Sequence, residues 1–267
     1  MADRLRQIPT RDELRRGKHL IPSFLELHTL DMTVWDDDFM GDQMRYDGTA
    51  PGTYQSTASG TSAATAAIVA GSADGIIRLD PGTDNDGRSD LSLGRHFRGN
   101  RNAVVWWRVL MPAAITAMKF ELGFTDVVSG TDAGAVATKA TPTFNATDAV
   151  ILVMDTDDDT NLTLVGNLNG TAATAYDFST VLAVDLYYYF GIALIDTRAQ
   201  AYLLDANGNL LETQPSQGRW MESAITAATL LTPWAFVQNR SANQRLLDID
   251  RLLVYQWKTA TASGAGG

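Results

Sequence analysis

The chain has 267 residues, a formal charge of −10 and no cysteine. The missing thiols exclude disulfides and thiolate metal centres, and the acidic balance excludes a body built to bind nucleic acid. No stretch reaches the roughly 20 apolar residues of a membrane span, and the length allows a core that needs no covalent staples.

The charge is unevenly divided. Residues 1–20 carry Arg4, Arg6, Arg11, Arg15, Arg16 and Lys18 against three acids, a net of +3, whereas the remainder holds 15 basic and 28 acidic residues, a net of −13. Such asymmetry sets residues 1–34 apart as an arm with its own docking partner. No apolar stretch follows its basic residues, so it is not a secretory leader and Sec export is not expected. Thr10 with Glu13 and Ser23 with Glu26 fit the capping box, in which a hydroxyl and a carboxylate satisfy the free amides of a helix start. They predict two short helices after Pro9 and Pro22. Leu14, Leu20, Ile21, Phe24, Leu25, Leu27 and Leu30 make the arm apolar enough to bury itself on its own body or on another chain.

Between residues 34 and 102 small residues dominate, which suits exposed strands or loops. Gly75–Asp80 predicts a strand, Pro81–Asp90 a loop turned by Pro-Gly and Asp-Gly pairs, and a further strand starts near Leu91. The most informative stretch is Ala103–Asp126. In its first half Val105, Trp107, Val109 and Met111 alternate with Val104, Trp106, Arg108 and Leu110. After a connection at Pro112–Thr116, Met118, Phe120, Leu122 and Phe124 alternate with Ala117, Lys119, Glu121 and Gly123. Period-two alternation with apolar residues on both faces predicts two strands at the heart of a sandwich.

Val127–Thr147 reads as a polar loop, and Ala149–Asp155 as a buried strand. Leu162–Val165 and Val181–Asp196 add strands, and Ala201–Glu212 a hairpin turned by Asn207-Gly208. A short helix over Met221–Leu230 is expected ahead of Pro233, then strands at Trp234–Gln238 and Leu246–Trp257. Residues 259–267 form a tail that is flexible by composition. Many short strands without βα alternation predict an all-β sandwich over residues 35–258.

Few side chains are grouped for chemistry. Asp80, Asp84, Asp86 and Asp90 share one loop, and Asp155, Asp157, Asp158, Asp159 and Asn161 another, in the manner of oxygen ligands for Ca²⁺. Gly82 and Leu93 stand where an EF-hand needs its first Asp and its last Glu, so solvated turns are the better reading. Asp36, Asp37 and Asp38 read as a solvated strand end. His19, His28 and His96 are scattered, and no G-x-S-x-G is present. Glycoside hydrolysis needs two placed carboxylates, and the best strand offers Glu121 alone. Trp106, Trp107, Trp234 and Trp257 are expected in the core, while Trp35, Trp220, Tyr46 and Tyr54 are candidates for a sugar-binding surface. The sequons at Asn145, Asn161, Asn169 and Asn239 are expected by chance in a Thr-rich chain.

WDDDF at Trp35–Phe39, the central WWRVLMP and KFELGFTD, DAVILVMDTD at Asp148–Asp157, YLLDANGNL, and LLDIDRLLVYQ at Leu246–Gln256 follow one another over residues 34–258. This order resembles bacteriophage structural proteins with a concanavalin-A-like (lectin/glucanase) jelly roll. The resemblance implies a jelly-roll sandwich with a partly helical N-terminal arm. It also implies a non-enzymatic virion protein assembled in the bacterial cytoplasm, foremost a head decoration (cement) protein. In that reading Arg4, Arg6, Arg11, Arg15, Arg16, Leu14 and Phe24 hold the major capsid protein or another virion subunit, and the protein is a homo-oligomer. The alternatives are a tail, fibre or receptor-binding component, or a lectin-like module for a surface glycan. The paired glutamates of glucanases and the calcium loops of lectins are not matched, so no catalytic residue, metal or cofactor is expected.

Overall fold

The computed structural model describes residues 32–39, 54–60, 64–69, 75–128, 134–216 and 218–258. Their strands are, in chain order, β1 (Met32–Asp37), β2 (Ala58–Ser59), β3 (Thr65–Ile68), β4 (Ile77–Asp80), β5 (Arg88–Ser92) and β6 (Val104–Leu110). Next come β7 (Met118–Thr125), β8 (Val136–Thr138), β9 (Thr143–Phe144), β10 (Ala149–Asp155), β11 (Asp159–Leu168) and β12 (Thr171–Ala172). The last six are β13 (Tyr176–Asp177), β14 (Tyr187–Ile195), β15 (Arg198–Leu204), β16 (Leu210–Gln214), β17 (Thr232–Asn239) and β18 (Leu247–Trp257).

Two antiparallel sheets are stacked. The first runs β16-β15-β14-β6-β18-β4-β3, with β1 also paired to β18. The second runs β12-β11-β10-β7-β17-β5-β2, with β13 on β11, and β8 and β9 form a separate ribbon. Consecutive strands β6 and β7 thus sit at the middle of opposite sheets. Trp107 lies opposite Phe190 of β14 and Leu252 of β18. Leu122 lies opposite Leu152 of β10 and Ala235 of β17.

Alternation decides which side chains fill the space between the sheets. Val105, Trp107 and Val109 from β6 join Phe120, Leu122 and Phe124 from β7 in one buried cluster. Each such side chain contributes about 1.5–3 kcal/mol by leaving water. The other set does not face water either. Outside the second sheet, Ile151, Val153, Trp234 and Phe236 pack with Ala135, Val136 and Ala146 of the segment carrying β8 and β9. Outside the first, Val104, Trp106, Tyr202, Leu253 and Tyr255 form a third cluster. Both sheets are therefore buried on both faces, which is why the central strands are apolar on both sides.

Several expected elements change. The polar loop over 127–147 contains β8 and β9, and β5 begins at Arg88 inside the expected turn region. The run Val181–Asp196 becomes a strand only at Tyr187, and Val181 stands 73% exposed. No helix forms over 221–230. Met221 instead bridges Ala199, and Ala224 and Ile225 are buried in turns. Trp257, expected in the core, is half-buried at the end of β18. Asn207-Gly208 does turn the β15–β16 hairpin, with Gly208 at φ 81° where a side chain would be strained. The arm residues Arg4, Arg6, Arg11, Arg15, Arg16, Leu14 and Phe24, the two capping boxes, His19, His28, Tyr46 and the tail at 259–267 lie outside the described residues. Met32, Thr33 and Val34 pair with Trp257, Gln256 and Tyr255 as part of the first sheet.

Candidate functional site

Along β6 and β18 the outer face of the first sheet changes character in three steps. Val104 and Trp106 with Leu253 and Tyr255 make an apolar end. A belt of ion pairs follows. Arg108 is bonded to Asp250, at the point where the β18–β6 register slips, and its guanidinium lies 4.1 Å above the ring of Tyr187. Arg251 holds Asp36 with two bonds of 2.9 and 2.7 Å. That bond to Asp36 raises the Arg251 pKa, with burial opposing it.

Beyond the belt a cavity of about 330 Å³ opens where β6 ends. Leu110, Met111, Pro112 and Leu246 give it an apolar lining, and Arg78, Asp185, Gln244, Arg245 and Asp248 bring polar groups to it. The cavity exists because three connections meet there. The Met111 amide donates to Leu186 O at 3.0 Å and the Asp185 amide to Met111 O at 3.2 Å, which ties the 181–186 segment to the end of β6. The β17–β18 loop is held by the Arg245 amide on Asn239 Oδ1 at 3.0 Å and by Arg245 Nε on Thr116 O at 2.7 Å. Asp185 sits at φ 56°, a left-handed conformation that costs a non-glycine residue energy and aspartate less than most.

The polar groups differ in how far they are committed. Asp248 takes two bonds of 2.7 Å from Arg78, and Gln244 donates at 2.8 Å to both oxygens of Asp80. Among the described residues, neither the Asp185 carboxylate nor the Arg245 guanidinium has an ion-pair partner. A carboxylate without an ion-pair partner and a guanidinium bonded only to the backbone carbonyls of Thr116 and Gln244 thus lie beside apolar side chains.

Glu121, the acid a hydrolase would need, has the opposite setting. It and Lys119 are wholly buried on the outer face of the second sheet, 3.0 Å apart. Glu121 accepts from the Ala135 and Val136 amides at 2.7 and 3.1 Å and from Trp234 Nε1 at 2.9 Å. Gly134, at φ 88°, fits against it because a Cβ there would lie 2.4 Å from Oε1. A carboxylate with its lone pairs so occupied, and shut away from solvent, anchors the segment above it and takes no part in hydrolysis.

The two acidic loops converge on a cation of the chain itself. Arg240 bonds Asp155 through Nε at 2.9 Å and through its second nitrogen, and lies 3.5 Å from Asp157 and 3.9 Å from Asp86. The side-chain amide of Asn239 holds the other loop through Gly82 O and Asp84 O at 2.9 and 3.1 Å. Asp158 accepts from the Lys139 and Ala140 amides, and Lys139 Nζ bonds Asp159. Burial alone would raise the Asp159 pKa, but Lys139 and the Asn161 amide lower it. Among the described residues no three His, Asp or Glu side chains are gathered to hold a metal.

The aromatic candidates divide. Tyr54, expected at a surface, is buried, and its hydroxyl accepts from Trp35 Nε1 and donates to Asp37, both at 3.0 Å. Burial, then the Asp37 charge, raise its pKa well above the usual value. Trp35 is half-buried against the core, Trp220 half-buried beside Trp106's cluster, and His96 is exposed. Asp36 and Asp37, expected in water, are both bonded within the protein. The sequon residue Asn239 is wholly buried. No sequence signal points to the cavity, because its lining comes from distant stretches with no shared motif.

No protein-family model matches this sequence, and no curated protein does either. Solved structures match in fold. A Shewanella oneidensis MR-1 protein of unknown function aligns with 97% of this chain and 99% of its own at a TM-score of 0.59 and 14% identity. Peanut lectin, solved with a nine-residue peptide, covers 87% of this chain and 99% of its own at a TM-score of 0.54 and 8% identity. The exoplasmic/lumenal domain of VIP36, in its Ca²⁺/Man-bound form, covers 83% and 92% at 0.54 and 9%. The architecture is the concanavalin-A-like β-sandwich expected from the sequence.

Proposed function

We propose that this chain is a non-enzymatic, lectin-like binding domain whose cavity at the end of β6 takes a carbohydrate. The cavity carries the reading. A sugar ring presents vicinal hydroxyls that need both donors and acceptors, and a C–H face that needs an apolar floor. Arg245 and Asp185 supply the first, free of any ion-pair partner among the described residues, and Leu110, Met111, Pro112 and Leu246 the second. A hollow that sets placed polar groups beside apolar side chains is a usual form of a small-ligand site. The sealing of Glu121 and its pairing with Lys119 support binding without hydrolysis. The sandwich neighbours add fold-level support alone. A glycan-array screen of the intact protein tests the proposal: selective binding to one glycan class is expected, and no binding to any class defeats it.

A second reading places this domain on a phage particle. The sequence resemblance and the basic arm on an acidic body support it. Mass spectrometry of purified particles, scaled to the major capsid protein, tests it. Copy numbers comparable with that protein indicate head decoration, a small fraction indicates a tail or fibre part, and absence defeats the reading.

A further inference from the structure

Arg245 differs from the ion-paired arginines of this protein in how it is held. Arg78, Arg108, Arg240 and Arg251 each bond a carboxylate, that of Asp248, Asp250, Asp155 and Asp36 in turn. Arg245 is fixed by neutral groups instead. Its Nε donates to Thr116 O at 2.7 Å and its Nη1 to Gln244 O at 3.2 Å. Carbonyl oxygens orient a guanidinium and leave its charge uncompensated. Among the described residues Nη2 makes no hydrogen bond, so donors remain on the side of the group away from its anchors.

The neighbouring acids are committed elsewhere. Asp248 takes both of its bonds from Arg78, and Asp80 accepts from the Gly82 amide at 2.7 Å and from the Gln244 side chain. The Arg78–Asp248 charges cancel. What remains at the cavity is one oriented cation, Arg245, and one carboxylate, Asp185, which is bound by no hydrogen bond among the described residues. Arg245 is half-buried and Asp185 exposed, so solvent screens the anion more strongly than the cation. A ligand that completes the site brings an anionic group to Arg245, hydroxyls that donate to Asp185, and a C–H face for Leu110, Met111, Pro112 and Leu246. A planar carboxylate matches the fork of a guanidinium and compensates its charge, which a hydroxyl cannot do.

We infer that the sugar taken by this cavity is acidic, a pyranose whose carboxylate pairs with Arg245 while its hydroxyls donate to Asp185. The inference rests on the carbohydrate reading and adds the charge of the ligand to it. Hexuronic and sialic acids share this chemistry, with the carboxylate on opposite sides of the ring oxygen.

Calorimetric titration of the full-length protein with trigalacturonic acid and with 3′-sialyllactose, each beside its carboxyl-reduced form, tests the inference. One acid should bind at least about tenfold more tightly than its reduced form, and which one does so tells uronic from sialic acid. This comparison needs no variant, so a folding defect cannot decide it. Arg245→Gln should bind that acid and its reduced form about equally. Wild-type protein that takes the reduced sugars as well as the acids overturns the inference and leaves the carbohydrate reading standing. A preference that survives in Arg245→Gln also overturns it, by placing the anion elsewhere. Failure of both acids to bind overturns it as well, and the carbohydrate reading itself falls only if the glycan array finds no ligand of any class.

Discussion

Replacing Arg240 with methionine removes the cation on which two acidic loops converge. The four carboxylate contacts differ greatly in setting. The Asp155 side chain is 3% exposed and that of Arg240 14%, whereas Asp157 and Asp86 are each 63% exposed. Exposed pairs of the latter kind contribute at most about 1 kcal/mol each. The dominant cost is therefore Asp155, left buried and charged without its guanidinium, for which about 3–5 kcal/mol is typical. Neutralising that acid as well should recover much of the loss, because an amide at this position still accepts from the Asp157 amide, now at 3.3 Å from Oδ1. Urea unfolding at neutral pH measures both variants, read as a fall in midpoint at constant slope. Arg240→Met should lose about 3–5 kcal/mol and Asp155→Asn/Arg240→Met clearly less. A loss below about 1 kcal/mol for the single variant, or a double variant no more stable than it, refutes the reasoning.

Three further outcomes follow from the same structure. Glu121→Gln removes the carboxylate 3.0 Å from the buried Lys119 ammonium and sets an amide against the donors of Ala135, Val136 and Trp234, so about 3 kcal/mol or more should be lost in chemical unfolding. Wild-type stability would contradict the anchor role. Gly191→Ala places a Cβ 2.3 Å from the Trp106 ring, which must move; a loss of about 1–3 kcal/mol with an altered tryptophan emission is expected, and an unchanged spectrum would contradict it. Burial would raise the Glu212 pKa, but donors from Ser179 and Thr180 outweigh it and hold it below its ordinary 4.5. The stabilisation is thus complete above that value and is lost as pH falls through the folded-state value. Melting temperatures of wild type and Glu212→Gln should differ most at neutral pH and converge in acid, and a gap that persists in acid counts against the linkage.

The sequence was most legible where one local rule sufficed. Ala149–Asp155 is a strand with the expected bounds, since an apolar run between acidic turn residues has few other uses. The alternation around Trp107 and Phe120 identified the central strands because each is packed on both faces. Legibility failed where distant contacts overrule local pattern. Met221, Ala224 and Ile225 have the spacing of a helical face, yet each is buried from a turn along the sandwich edge. Tyr54 stands among polar neighbours in sequence but is buried because Asp37 and Trp35 satisfy its hydroxyl. Val127–Thr147 looked like a solvated loop because its role, donating two backbone amides to Glu121, leaves no trace in side-chain composition. Asp185 and Arg245 are 60 positions apart and meet only because β6 ends between their loops.

The claim that the cavity at the end of β6 binds carbohydrate is tested most directly by calorimetric titration of the strongest array ligand. Wild type, Arg245→Ala and Asp185→Asn are compared, with Thr138→Ala, on the β8–β9 ribbon outside the second sheet, as a remote control. The account predicts at least about tenfold weaker binding for both cavity variants, about 1.4 kcal/mol, measured well below the melting temperature of each, and unaltered affinity in the control. Equal affinity in all four proteins would place the ligand elsewhere and contradict the claim.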